Sequence, residues 1–255
     1  MNQDQILTSD RQQPEPAVKS TEKKPDLAEF TSSMVEDLQA PLRSLTMFTE
    51  LLTKEYQNDL DEKGQLYLDR ISASGSRMQT LVEDLLTYSR TGTGEQTWIK
   101  VNLDLTVAQV QYDLKSEIAQ SNAKIIVGDL PQLLLNPKEI YQLFKNLIEN
   151  ALKFSNGQPQ IEISVTAQGE EWLFAIKDRG IGIAPECHLQ VFEVFQRLHA
   201  DDVYPGSGIG LAICQKIVHR YEGIIWVESR VGKGSTFYFT LPMNICSQSP
   251  NAKIV

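Results

Sequence analysis

Three short clusters of residues in this sequence have the types and spacing to handle a phosphate-bearing ligand. Asn146, Asn150 and Lys153 stand at i, i+4 and i+7, which places them on one face of a helix. Magnesium prefers hard oxygen ligands and keeps several waters, so one amide oxygen plus phosphate oxygens completes its shell while a lysine offsets phosphate charge. Taken alone, the three read equally well as a solvated helix face. Asp178-Arg179-Gly180-Ile181-Gly182 closes a β-rich run. A carboxylate at a strand end can accept a hydrogen bond from an exocyclic amine such as that of adenine, and the glycines let the backbone pass close to a ring. By itself that string is as often a tight turn. Phe192 and Phe195 follow, and then Gly206-Ser207-Gly208-Ile209-Gly210-Leu211, a glycine-rich turn that opens a helix. Backbone N–H groups at a helix N-terminus attract anions. This string does not follow a strand directly, as a dinucleotide-binding turn would.

The elements that position these clusters are legible from periodicity. Asn146, Asn150 and Lys153 ride on a helix that begins near Pro137, whose apolar face is Ile140, Leu143, Leu147, Ala151 and Phe154. Short β-rich runs are expected at Thr97 to Val101, Lys124 to Val127, Gln160 to Thr166, Glu171 to Asp178, Gly223 to Ser229 and Ser235 to Leu241, with further helices near 104–120 and 209–221. One α/β domain over 97–243 accounts for all of them. Upstream, Leu27, Phe30, Met34, Leu38, Leu42, Leu45, Phe48 and Leu52 recur at helical steps. After the polar break Gln57-Asn58-Asp59-Leu60-Asp61 the period resumes as Tyr67, Ile71, Ser74, Met78, Leu81, Leu85 and Tyr88, nearly a heptad. Two helices of about 30 residues are each about 45 Å long, and a lone hairpin of them cannot hide both stripes. Residues 26–92 are therefore expected to form an antiparallel hairpin that dimerises into a four-helix bundle, giving an α+β chain overall.

Composition narrows the class of partner. Among 255 residues, 33 acidic against 24 basic side chains leave a formal net charge of −9, which argues against a nucleic-acid groove or an anionic membrane surface. Three cysteines, Cys187, Cys214 and Cys246, make neither a disulfide framework nor a CxxC zinc clip. No apolar run reaches the length of a spanning helix and the polar N-terminus lacks a signal region, so membrane insertion is not expected and a cytoplasmic location is. Residues 1–25 lack apolar periodicity and are expected to be a flexible tail, and residues 244–255 are expected to be a C-terminal tail.

In order along the chain, Asn146/Asn150/Lys153, Asp178/Gly180/Gly182, Phe192/Phe195 and Gly206/Gly208/Gly210 resemble the N, D, F and G boxes of the ATP-binding domain of sensor histidine kinases. That resemblance spans Thr97 to Pro242 and implies a Bergerat-type α/β sandwich with a nucleotide lid between Gly182 and Gly208. It implies ATP and magnesium as cofactors, with Asn150 on the metal, Asn146 and Lys153 on phosphates, Asp178 on adenine, and Phe195 and the glycines around the nucleotide. ATPases of the same superfamily carry a water-activating glutamate four residues before the metal asparagine. Asn146 stands at that position and cannot act as a base, and Glu149 lies about 100° further around the helix. The site looks built to hold ATP for transfer rather than to hydrolyse it.

The hairpin segment Met34-Val35-Glu36-Asp37-Leu38-Gln39-Ala40-Pro41-Leu42-Arg43 resembles the H box of the family's dimerisation domain, especially its phytochrome-like variety. The phosphoacceptor histidine of that pattern is here Glu36, and a carboxylate is no equivalent of an imidazole that attacks a γ-phosphoryl group. The activating acid remains as Asp37, and Pro41 removes a backbone donor nearby. Ala40 occupies the position where family members that dephosphorylate a response regulator carry Thr or Asn. His188, His199 and His219 all fall in the second domain and read as lid or helix-surface residues.

These features imply an ATP-binding member of the family, deficient in autophosphorylation, that works in two-component signalling as a pseudokinase. Its expected partners are a second copy through the hairpin, a response regulator and a separate sensor protein, since only about 25 residues precede the hairpin. Two alternatives stand beside it. One is an active kinase that carries a His-to-Glu substitution or phosphorylates a partner in trans; the other is a non-enzymatic dimeric interaction module.

Overall fold

Two helices of nearly equal length open the computed structural model, which describes residues 27–92, 97–198, 206–243 and 253–254. The expected tail 1–25, the linker 93–96, lid residues 199–205 and most of the segment 244–255 lie outside the described residues. Helix α1 covers Leu27–Tyr56 and α2 covers Glu62–Arg90, with a single 3-10 turn at Gln57–Asp59 where the polar break was expected. Asp61 caps α2, its Oδ1 accepting from the Gly64 N–H at 2.8 Å. The hairpin buries few apolar side chains by itself, Leu68 and Leu86 among them. Phe48 is 59% exposed and Tyr67 62%, and Leu38, Leu45, Leu52, Ile71 and Met78 are also open to solvent. A single hairpin thus leaves the stripe uncovered, as its geometry requires.

The second domain runs through β1 (Thr97–Asn102), α3 (Leu103–Asp113), α4 (Lys115–Ser121), β2 (Lys124–Val127), β3 (Gln132–Leu135) and α5 (Pro137–Lys153). It continues through β4 (Gln160–Gln168), β5 (Glu171–Asp178), α6 (Gly210–Arg220), β6 (Ile225–Arg230), β7 (Gly234–Pro242) and β8 (Lys253–Ile254). The main sheet has the order β2-β4-β5-β7-β6, antiparallel except for the parallel β2–β4 pair. A smaller sheet, β3-β1-β8, flanks it. Alternation selects the inward face: Ile161, Ile163, Phe174, Ile176, Phe237 and Phe239 are buried beneath α5 and α6. At the centre Phe144 of α5 meets Phe174 and Phe239 edge-on at 6.2 and 5.9 Å, while those two stack at 4.7 Å. Behind this core, the Arg220 guanidinium pairs with Glu139 at 2.7 Å and the Tyr221 hydroxyl donates to the same carboxylate at 2.9 Å, fastening α6 to α5.

Three expectations are corrected. The helix expected over 104–120 is two helices broken at Leu114. Strand β3 was not anticipated, because its run Leu133-Leu134-Leu135 has no alternation to mark it. The C-terminal segment is not wholly a tail, since Lys253–Ile254 pairs in parallel with Thr97–Trp98. Among the described residues no helix is long and apolar enough to cross a membrane.

Candidate functional site

Helix α5 starts where the chain dictates. Pro137 occupies its first turn, and Asn136 accepts from the N–H groups of Lys138 and Glu139 at 3.0 and 3.4 Å. The apolar face of the helix fixes its rotation on the sheet, so Asn150 and Lys153 are carried to the edge of a cleft of about 820 Å³, part of it open to solvent. The cleft is also lined by Asp178, Gly182, Arg197, Gly208, Gly210 and Ser235, with Phe154, Ile181, Ile183, Leu211 and Phe237 as apolar wall. Apolar walls with a few convergent polar groups are what a nucleotide base and its phosphates require.

Asp178 sits at the end of β5 and is 7% exposed. Its Oδ1 accepts from the Gly180 N–H at 2.7 Å and from the Ser235 N–H at 3.1 Å, so neither bond uses Oδ2. Burial pushes its carboxyl above the ordinary range, and the two backbone donors hold it down in part. The glycines after it are required sterically. A Cβ on Gly180 would collide with the Phe154 carbonyl, and Gly182, at φ +72°, would meet the Arg230 carbonyl. Lys153 lies over the Phe154 ring at 4.5 Å, and burial, helped by the nearby Arg197 charge, lowers its pKa.

The boxes do not all face the ligand space. Asn150, Lys153, Asp178, Gly182, Gly208 and Gly210 line the cleft. Asn146 lies beneath them, buried, donating to the Gly210 carbonyl at 3.0 Å and accepting from Gln142 Nε2 at 2.9 Å. It braces α5 against the start of α6. Gly206 packs on Lys153, where a Cβ would stand 2.6 Å from Nζ, and Gly180 bridges to Ser155. Phe195 is 57% exposed at φ +66° and its N–H donates to the Gly208 carbonyl at 3.0 Å, pinning the lid base to the glycine turn. Phe192 turns into the core against Phe237. Glu149 pairs with Lys145 at 3.6 Å and lies outside the cleft lining, where burial raises its carboxyl. In the hairpin, Asp37 is exposed on α1; Glu36 belongs to the same helix, and its side chain is outside the described residues.

Sequence reasoning missed Arg197, two residues past Phe195, and Ser235, which reaches Asp178 only through the β5–β7 pairing. It also missed a contact from the hairpin. Lys216 of α6 donates to the Tyr88 carbonyl of α2 at 2.6 Å.

A helical hairpin docked on an α/β sandwich, with a cleft between a polar helix and glycine turns, defines a two-domain architecture with a ligand-holding second domain. Residues 26–94 match the family described as His Kinase A (phospho-acceptor) domain, and residues 135–245 match Histidine kinase-, DNA gyrase B-, and HSP90-like ATPase. The phytochrome-like protein Cph1 of Synechocystis sp. is 39% identical over 219 residues, which is 86% of this chain and 29% of that protein. The crystal structure of full-length ShkA in complex with AMPPNP aligns with a TM-score of 0.65 at 25% identity, over 84% of this chain and 46% of that one. Histidine kinase ThkA in complex with response regulator protein TrrA aligns at 0.60 and 20% identity, over 89% of this chain and 66% of that one, a likeness of fold. The chain belongs to the sensor histidine kinase family, and it spans 29% of the length of its phytochrome-like relative.

Proposed function

We propose that this chain binds Mg-ATP in the cleft of its second domain, dimerises through the hairpin, and acts in two-component signalling without phosphorylating itself. The observation that carries the proposal is that Asn150, Lys153 and Asp178 line one cleft while position 36 holds a glutamate. Asp178 is the buried acceptor for the adenine amine, and the walls Ile181, Ile183 and Phe237 take the ring. Lys153 and Arg197 supply positive charge for the phosphates. Among the described residues no cluster of three His, Cys, Asp or Glu side chains gathers. Magnesium held here would take one amide oxygen from Asn150 and the rest of its shell from phosphates and water. With Glu149 tied to Lys145 and Asn146 spent on Gly210, no carboxylate of α5 lines the cleft to activate a water.

The exposed stripe of the hairpin supports a homodimer, closed as a four-helix bundle. A response regulator is the expected partner, by analogy with the ThkA–TrrA complex. Calorimetric titration with Mg-ATP tests the cleft: binding that falls 10- to 100-fold in Asp178→Ala, about 1.5–3 kcal/mol for a hydrogen bond to a charged group, supports it. Absence of binding at millimolar nucleotide rejects it. Radiolabelled ATP tests the acceptor. Label in Glu36→His but not in the unaltered chain is expected, and a stable phosphoryl adduct on the unaltered chain overturns the proposal.

A further inference from the structure

The wall on the base side of the cleft is made by chain that belongs to no helix or strand. Residues 179–183 follow β5 directly and carry Ile181, Gly182 and Ile183 of the lining. With no ladder of backbone hydrogen bonds to fix them, their order depends on individual partners. The Ile181 N–H donates to the Phe154 carbonyl at 3.0 Å, and the Ile181 carbonyl accepts from the Gly232 N–H at 2.7 Å. The Ile183 N–H donates to a side chain instead, the Ser229 Oγ at 2.7 Å. That hydroxyl reaches two more groups across the β6–β7 pair, where Ser229 stands opposite Ser235. Its one proton goes to the Gly234 carbonyl at 2.9 Å, so the Ser235 hydroxyl, 2.9 Å away, donates to it. Ser229 thus has its one donor and both acceptor positions filled. Ser235 in turn holds Asp178 through its own N–H. A hydroxyl that does not itself line the cleft therefore ties together the wall, Ser235 and, through Ser235, the buried carboxylate.

We infer that Ser229 is a positioning residue for the base end of the nucleotide cleft, its hydroxyl holding Ile183 and Ser235 in place beside Asp178. The inference rests on the nucleotide reading above. A wall and an acceptor fixed in advance spare the ligand the entropy of ordering them. Fixed geometry is also what lets a buried carboxylate tell an exocyclic amine from a carbonyl.

Titration of the full chain with Mg-ATP and with Mg-inosine triphosphate, whose base carries a carbonyl in place of the amine, tests this. Ser229→Ala should weaken ATP binding about tenfold, the effect of a buried donor left unpaired. It should weaken inosine triphosphate only about twofold, so that the preference between the two falls about fivefold. Ser229→Thr, which keeps the hydroxyl and suits a strand, should bind ATP within about twofold of the unaltered chain, as should Glu228→Ala at the neighbouring exposed position. Hydrogen exchange of the Ile183 amide, measured without nucleotide, should quicken severalfold in Ser229→Ala while the amides of Ile213 to Ile217 in α6 keep their rate. Equal losses for the two nucleotides, or exchange that quickens throughout the domain, would make Ser229 a general support of the fold and overturn the inference. Unchanged affinity and exchange would overturn it as well. If the unaltered chain binds neither nucleotide, the nucleotide reading is lost, and exchange at Ile183 still decides whether Ser229 holds the wall.

Discussion

The two halves of this molecule solve the same problem of burying apolar surface in different ways. The second domain is closed: Phe144, Phe174, Phe239, Leu143 and Ile148 have no solvent exposure at all, and the sheet supplies neighbours for every inward side chain. The hairpin is open, with Phe48, Leu52 and Met78 in solvent and a hydrophobic seam nearly as long as the helices. A sheet covered by helices completes itself within one chain, whereas two antiparallel helices offer each other only part of their surface. Stability of the second domain should therefore belong to the single chain, and that of the hairpin to its concentration.

The contrast breaks first at the seam. Phe48→Glu should dissociate the dimer, since each copy leaves an uncompensated charge in the bundle at a cost of about 3–5 kcal/mol. Sedimentation should then show monomers whose second domain melts as before. Phe144→Ala should strike the other half, costing about 3–5 kcal/mol at any protein concentration, with the helical signal of the hairpin retained on thermal unfolding. A dependence of that loss on concentration would erase the distinction.

Alkaline titration sharpens it. Burial pushes the Cys214 thiol up to about 12 from an ordinary value near 9, and Tyr141 up to about 12 from 10. A pKa raised by folding means stability that is fully present below the unfolded value and is lost as pH rises through the folded one. The second domain should weaken progressively between pH 9 and 12, seen by circular dichroism, and Cys214→Ala should flatten the first part of the decline. The smallest effect is local. Asp61→Ala removes the cap of α2 and should lower hairpin stability by about 1 kcal/mol, leaving nucleotide affinity unchanged.

Much of the architecture was legible because it is encoded at short range. The steps of three and four from Leu27 to Tyr88 gave both helices, Pro137 gave the start of α5, and alternation gave β4, β5 and β7. Strand β3 escaped because three consecutive leucines carry no period. Of the four boxes, Asn150, Lys153 and Asp178 line the cleft, where helix face and strand end aim them. Asn146 shares that face but lies one turn deeper, where α6 crosses and takes its amide.

By itself the sequence determined which side chains were available. It supplied the order of the four boxes, the helical and strand periods, and a glutamate at position 36. Only the tertiary structure decided which groups meet. Ser235, 57 positions from Asp178, donates to it because β7 pairs beside β5, and Lys216 reaches the Tyr88 carbonyl because α6 meets the last turn of α2. Periodicity records the face a residue takes within its own element, whereas contact across elements depends on register and docking, which are fixed only when the whole core packs.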